Sequence, residues 1–226
     1  MTITLAFDVY GTLIDTHGVI LALEKHLGRR ASHFSQVWRE KQLEYSFRRG
    51  LMQNYETFAV CTRNALDYSC SHFNTPLTEE DKQQLLDVYK VLPAFDDAKE
   101  GLTRVKECGW RIFAFSNGSA DAVEMLLVNA EIRDFFDGVV SVDDLKSFKP
   151  NPGVYCHFLR KASAAGAESW LISGNSFDVI GAISAGMKGV WVQRSPEAIF
   201  DPWGIEPTIT VQSLSELAEG IKMYSQ

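Results

Sequence analysis

Five short apolar runs recur along the chain, each closing near small or polar residues. Residues 3–8 (ITLAFD) end on Asp8 ahead of Gly11, and 111–115 (RIFAF) stop before Ser116-Asn117-Gly118. Residues 138–142 (GVVSV), 169–173 (SWLIS) and 189–193 (GVWVQ) repeat the form. Near-continuous apolar runs of about five residues predict strands buried on both faces, as in a parallel sheet. Helical spacing lies between them. Ala98, Leu102, Val105 and Cys108 fall on one helical face. Asn151-Pro152 reads as an N-cap and first-turn proline opening a helix through Val154, Tyr155, Phe158 and Ala162. Val179, Ile180 and Ile183 carry a further helix toward Gly186, a residue suited to follow a helix end. Alternation of this kind predicts an α/β fold, a doubly wound, mainly parallel sheet with a Rossmann-like core.

Residues 16–90 break that rhythm. Tyr55, Phe58, Ala59, Thr62, Ala65, Leu66 and Ser69 follow an i, i+3, i+4 spacing. Phe34, Val37, Trp38, Leu43 and Phe47 stand among charges in 34–47, and 78–90 reads as another amphipathic helix. The expected organisation is an α/β core of residues 1–15 and 91–226 interrupted by a helical cap insertion over 16–90. An insertion after the first strand sits over the carboxyl ends of the strands, where open α/β sheets bind ligands. It is placed as a lid.

Composition narrows the function. Of 226 residues, 22 are Lys or Arg and 29 Asp or Glu, a net charge of −7 that supplies no basic face for nucleic acid. No apolar run reaches the roughly 18 residues of a membrane span. The opening residues lack the basic start of a secretion signal, and the four cysteines form no CxxC pair, as in a cytoplasmic protein with free thiols. The five histidines lack metal-ligand spacing and read as structural or solvated.

The candidate chemistry gathers at the ends of the runs: Asp8, Ser116-Asn117, Lys149 and Asp178. Singly, each has an ordinary reading. Asp8 could cap the Gly11-Thr12 turn, Ser116-Asn117-Gly118 could be turn chemistry, Lys149 a solvated lysine and Asp178 a first-turn charge. Together they would bring two carboxylates, a lysine and two small hydrogen-bonding residues to one sheet edge.

Asp8-Val9-Tyr10-Gly11-Thr12-Leu13, Ser116-Asn117-Gly118, Lys149-Pro150 and Ser173-Gly174-Asn175-Ser176-Phe177-Asp178 resemble, in order and spacing, the four motifs of the haloacid dehalogenase superfamily. Most members are Mg²⁺-dependent phosphatases with an Asp-x-Asp first motif. This chain departs from them, with Tyr10 at the second acidic position and Asn175 where a metal carboxylate is often found. The departures are similar to the L-2-haloacid dehalogenase branch, which uses one nucleophilic Asp and neither metal nor cofactor. Trp38-Arg39-Glu40-Lys41-Gln42-Leu43-Glu44-Tyr45 is similar to the segment carrying that branch's cap arginine, and Tyr155 after Lys149-Pro150 fits its third motif.

The resemblance implies hydrolysis of short L-2-haloalkanoic acids to D-2-hydroxy acids and halide through an aspartyl ester on Asp8. It implies Arg39 and Asn117 as donors to the leaving halide. Ser116 and the backbone N–H groups around Val9 and Tyr10 would hold the substrate carboxylate. Thr12 would support Asp8, Lys149 would keep it ionised, and Asp178 would activate water positioned by Ser173 and Asn175. Tyr10, Leu43, Phe58 and Phe177 would close over C2, with Tyr155 nearby. Relatives of this type are commonly homodimers. Two alternatives stay open: an Mg²⁺-dependent small-molecule phosphatase with Asp8 as nucleophile, and a non-enzymatic binding domain.

Overall fold

The computed structural model describes residues 3–225; residues 1, 2 and 226 of the expected core lie outside the described residues. Six strands form one parallel sheet: β1 (Thr4–Phe7), β2 (Arg111–Ser116), β3 (Gly138–Ser141), β4 (Ser169–Ser173), β5 (Lys188–Val192) and β6 (Ile209–Val211). Their order is β3-β2-β1-β4-β5-β6. The strands are apolar at successive positions because both faces are covered. Leu5, Phe7, Ile112, Ala114, Trp170 and Ile172 point into one hydrophobic cluster. Their neighbours Ala6, Phe113, Phe115 and Leu171 point into another. The sheet is therefore doubly wound.

Helices α5 (Ala98–Glu107), α6 (Ala120–Asn129) and α9 (Leu217–Tyr224) cover the first face through Leu102, Val105, Leu126 and Ile221. Helices α7 (Pro152–Lys161) and α8 (Ser176–Ser184) supply Val154, Tyr155, Phe158 and Ala182 to the second cluster. Asn151 caps α7 by accepting from the Gly153 amide, with Pro152 at the first position.

Between β1 and β2 lie α1 (His17–Leu27), α2 (Ala31–Leu51), α3 (Phe58–His72) and α4 (Glu79–Val88). Thr78 and Asp81 form a reciprocal capping box at the start of α4. Trp38 on α2 donates to the Thr62 carbonyl on α3 at 2.9 Å, tying the two helices across their apolar seam. Val19, Leu23, Phe34, Trp38, Leu66 and Leu85 run into the first hydrophobic cluster, so this helical layer is packed onto the sheet assembly. Among the described residues no helix is long and apolar enough to cross a membrane.

The structure departs from the sequence pattern at three places. Ala59 is exposed and Tyr55 precedes α3, because the buried stripe runs through Cys61, Thr62, Ala65 and Leu66 instead. Cys108 lies just past α5 and is only half-buried. Strand β6 and helix α9 escape the strand-helix pattern because β6 is a three-residue edge strand, too short to show a periodicity.

Gly101 on α5 separates local preference from packing. A Cβ there would lie 2.5 Å from the backbone oxygen of Leu214. Alanine favours a helix over glycine by about 1 kcal/mol, yet a backbone collision costs about 1–3 kcal/mol or more. Gly101→Ala is expected to lower stability despite the better helix former, read as a lower urea midpoint with unchanged slope.

Candidate active site

The strand order places the reversal of winding at β1, flanked by β2 and β4, and ligands of open α/β sheets bind at such a crevice. Asp8 directly follows β1, Ser116 ends β2 and Ser173 ends β4. The loops after β1 and β4 run close together: a Cβ on Gly174 would lie 2.5 Å from the Gly11 oxygen. That approach lets Thr12 and Asn175 reach the same carboxylate.

The two oxygens of Asp8 have different surroundings. Oδ2 accepts from the Thr12 hydroxyl at 2.8 Å, Asn175 Nδ2 at 2.8 Å and the Ser173 hydroxyl at 3.2 Å. Oδ1 meets Lys149 Nζ at 3.1 Å. Thr12 Oγ1 in turn accepts from the Gly174 amide, and Ser173 Oγ from the Asn175 amide. Thr12 is thereby oriented by the loop after β4, and Ser173 by its own loop.

Lys149 is 1% exposed and makes three contacts. Besides Asp8, its ammonium touches Asp178 Oδ2 at 2.7 Å and donates to the Phe115 carbonyl at 2.8 Å. Burial works against its charge, but the two carboxylates outweigh it and hold its pKa above the usual 10.5. Asp178 is 0% exposed, and its Oδ1 accepts from the Tyr155 hydroxyl at 2.8 Å. Burial pushes the Asp178 carboxyl up to about 6, aided by the charge of Asp8 and opposed by Lys149.

The pocket above Asp8 spans about 300 Å³, including the solvent-open space at its mouth, and is lined by residues from the sheet edge and the helical layer. Tyr10, Arg39, Leu43, Phe58, Ser116, Asn117, Lys149, Asn175 and Phe177 all reach it, as expected of them. Asn117 Oδ1 accepts from the Lys149 amide at 2.9 Å, which turns its Nδ2 group outward. Ser116 Oγ accepts from Gly118 N. Val9 is buried and does not line the pocket; among the described residues the Val9 and Tyr10 amides find no protein acceptor.

Three placements differ from the expected ones. Tyr155 does not line the pocket, because α7 turns it inward onto Asp178. Asp178 also lies behind the pocket wall, both oxygens engaged by Lys149 and Tyr155. Ser173 and Asn175 bond Asp8 rather than Asp178.

Two supports carry no signal in the sequence. Gln42 accepts from Arg39 at 2.7 Å and donates to Thr62 at 2.5 Å, which fixes the guanidinium over the pocket. A buried glutamine one turn from an arginine on an otherwise charged helix was its only trace. Arg194, just past β5, pairs with Asp97 at 2.7 Å and donates to the Thr12 carbonyl, clamping the loop that holds Asp8. Its partners stand 97 and 182 positions away, beyond any local pattern.

Comparison with known proteins agrees with this geometry. A family model described as haloacid dehalogenase-like hydrolase matches residues 5–192. An (S)-2-haloacid dehalogenase of Pseudomonas putida is 34% identical over 214 residues, spanning 95% of this chain and 94% of its own length. Haloacetate dehalogenase H-2 of Moraxella sp. (strain B) is 35% identical over 208 residues, 92% of each chain. The solved L-2-haloacid dehalogenase of Xanthobacter autotrophicus with chloropropionic acid covalently bound superposes with a TM-score of 0.89. It is 30% identical and covers 98% of this chain and 99% of its own.

The Asp8–Lys149–Asp178 group sets a pH-dependent stability. A carboxyl raised from 3.8 to about 6 on folding contributes stability that is complete below pH 3.8 and lost as pH rises through about 6. Lys149→Met removes the cation that limits this rise. At pH 8 the variant must bury an unpaired carboxylate or protonate it, at a cost of about 3–5 kcal/mol. At pH 5, where Asp178 is already largely protonated, the loss is smaller. Urea denaturation at both pH values is expected to show the larger difference from the parent at pH 8.

Proposed function

The chain belongs to the haloacid dehalogenase-like hydrolases and acts on carbon–halide bonds, and from that premise we propose that it converts short L-2-haloalkanoic acids to D-2-hydroxy acids without a metal. The observation that carries the reading is the asymmetry of Asp8. One of its oxygens is saturated by three donors, while the other faces only an ammonium at the floor of a pocket containing Arg39.

Oδ1 is the attacking atom. It displaces halide from C2, breaking the carbon–halogen bond and forming a Cγ–Oδ1–C2 ester, a covalent route open to carboxylates. Attack from the face opposite the halogen inverts C2 once. Arg39 and Asn117 Nδ2 are assigned to the departing halide; a guanidinium stays charged when desolvated and offers several donors. Ser116 and the Val9 and Tyr10 amides are assigned to the substrate carboxylate. Leu43, Phe58 and Phe177 keep water from C2.

Hydrolysis then uses the other oxygen. Water adds at Asp8 Cγ, and negative charge gathers on Oδ2, where Thr12, Ser173 and Asn175 already donate. Preorganised donors aimed at a developing oxyanion are among the strongest catalytic terms. The Cγ–Oδ1 bond breaks, the 2-hydroxy acid leaves with an oxygen of Asp8, and the solvent oxygen stays in the enzyme. Asp178 is assigned to accept the water's proton, which requires Lys149 or Tyr155 to release one of its oxygens, since both are engaged behind the pocket wall. Burial is the main cause that raises the Asp178 carboxyl; esterification removes the charge of Asp8 that adds to it and so favours the ionised form of Asp178.

Magnesium, common in the wider superfamily, does not fit these residues. It requires oxygen acceptors, mainly carboxylates, in octahedral array. Here Asp8 is ringed by O–H, N–H and ammonium donors, and Asn175 presents its amide nitrogen to the carboxylate. Tyr10 is a neutral phenol, its pKa pushed by burial and Tyr89 up to about 12 despite Arg39. The phosphatase alternative therefore lacks both its second acid and its cation seat.

The deciding measurement is halide release from each enantiomer of 2-chloropropionate in EDTA at mildly alkaline pH. Release from the L enantiomer alone, undiminished by the chelator, is expected, and chelator-sensitive release would overturn the metal-free reading. In H₂¹⁸O, one turnover should label Asp8 and leave the product unlabelled. Arg39→Ala is expected to slow ester formation about a hundredfold with the fold intact, read by single-turnover kinetics beside circular dichroism.

A further inference from the structure

A second and larger cavity, of about 1310 Å³, opens beside the Asp8 pocket and shares Tyr10 and Phe58 with it. It lies between the helical layer and the sheet edge, with Val60 on α3, Leu86 on α4 and Ala122 on α6 around it. Tyr89 forms part of its wall, edge-on to the Tyr10 ring at 5.9 Å between centroids. None of these residues serves the displacement chemistry except the two shared ones.

Most of the charged and amide groups lining this cavity are already partnered, although Arg63 Nε is not. Gln42 bonds Thr62 and receives Arg39, while Thr62 donates to the Phe58 carbonyl. Arg63 pairs with Glu79, and Lys90 and Gln83 both reach Asp87. Asp143 receives the Tyr55 hydroxyl and Lys146. What the cavity offers a ligand is therefore hydrocarbon and aromatic surface. A free polar or ionic molecule would lose its hydration there without new partners.

We propose that this cavity is a tail subsite: it takes the alkyl chain of L-2-haloacids longer than propionate, while the carboxylate and C2 remain at Asp8. The inference rests on the dehalogenase reading above and assigns its substrate chain length. Continuity through Tyr10 and Phe58 sets the occupant. A chain leaving C2 past Tyr10 and Phe58, which line both spaces, reaches the larger cavity, whereas the small pocket itself carries Asn117, Asn175 and Lys149 beside Leu43 and Phe177. Each methylene moved from water onto apolar surface contributes roughly a fourfold gain in binding.

The test is halide release from L-2-chloropropionate, L-2-chlorobutyrate, L-2-chlorohexanoate and L-2-chlorooctanoate. For the parent enzyme, kcat/KM is expected to rise about threefold to fourfold per methylene through the hexanoate, chiefly through KM. Ala122→Phe, at an exposed position on α6, should cost the hexanoate about tenfold and leave the propionate within twofold. Leu86→Trp fills the cavity from the opposite wall and should act the same way, so the outcome does not depend on one variant folding. Falling kcat/KM from propionate to hexanoate in the parent enzyme would overturn the subsite while leaving the dehalogenase reading intact. So would equal losses on both substrates in folded variants. No halide from any chain length would remove that reading and the subsite together.

Discussion

The arrangement around Asp8 depends on one buried cation. Lys149 is inserted between two carboxylates from distant parts of the chain, and it limits the rise that burial imposes on the Asp178 carboxyl. Its third contact, to the Phe115 carbonyl, ties the ammonium to the end of β2. The three central strands are thus joined at their carboxyl ends by charge as well as by the ladder: β1 through Asp8, β2 through Phe115, β4 through the helix carrying Asp178. Breaking the group would unlock the crevice and disarm the carboxylate in one step. Tyr155 and the Asp97–Arg194 pair extend the same logic outward, each fixing a group that fixes Asp8 or Asp178.

How much of this was readable in the chain follows from the range of each interaction. The strands were legible because burial on both faces writes five consecutive apolar letters, whatever their partners. Asp8, Ser116 and Ser173 were legible because a polar residue at the end of such a run must lie at the strand's carboxyl end. The helical layer was legible from its period, although Ala59 shows that the period alone misplaces the stripe by a residue or two. Pair geometry was not legible. That Ser173 and Asn175 face Asp8 rather than Asp178 depends on how closely Gly174 passes Gly11, a distance no local pattern encodes. Tyr155 was assigned to the pocket from its motif; its direction is decided by the packing of α7 against α8. Gln42 and Arg194 act over gaps of 20 and 182 positions.

The uneven hydrogen bonding of Asp8 links the fold to the proposed two-step reaction. A carboxylate with both oxygens equally free could attack with either, and the ester carbonyl would then have no fixed seat. Three donors on Oδ2 remove that freedom. They also weaken Oδ2 as a nucleophile, which directs attack to Oδ1, and they wait where the second step builds its charge. A single arrangement of donors around Asp8 would thereby serve both proposed steps. Thr12 needs the Gly174 amide for this and Ser173 needs the Asn175 amide, so the two loops are as much a part of the machinery as the hydroxyls.

Charge balance explains why Arg39 belongs to the helical layer rather than the sheet edge. At mildly alkaline pH, Asp8 and Asp178 carry two negative charges against one on Lys149, leaving the floor of the pocket one negative charge in excess. The proposed substrate is itself an anion, and the halide it sheds is another. Among the residues lining the pocket, Arg39 is the one further charge available to offset them. Fixed on the sheet, it would compete with Lys149 for Asp8 and blunt the nucleophile. Carried on α2 and held by Gln42, it reaches the pocket from the helical layer instead. The insertion after β1 thereby brings the pocket its second cation on a separate element from the first.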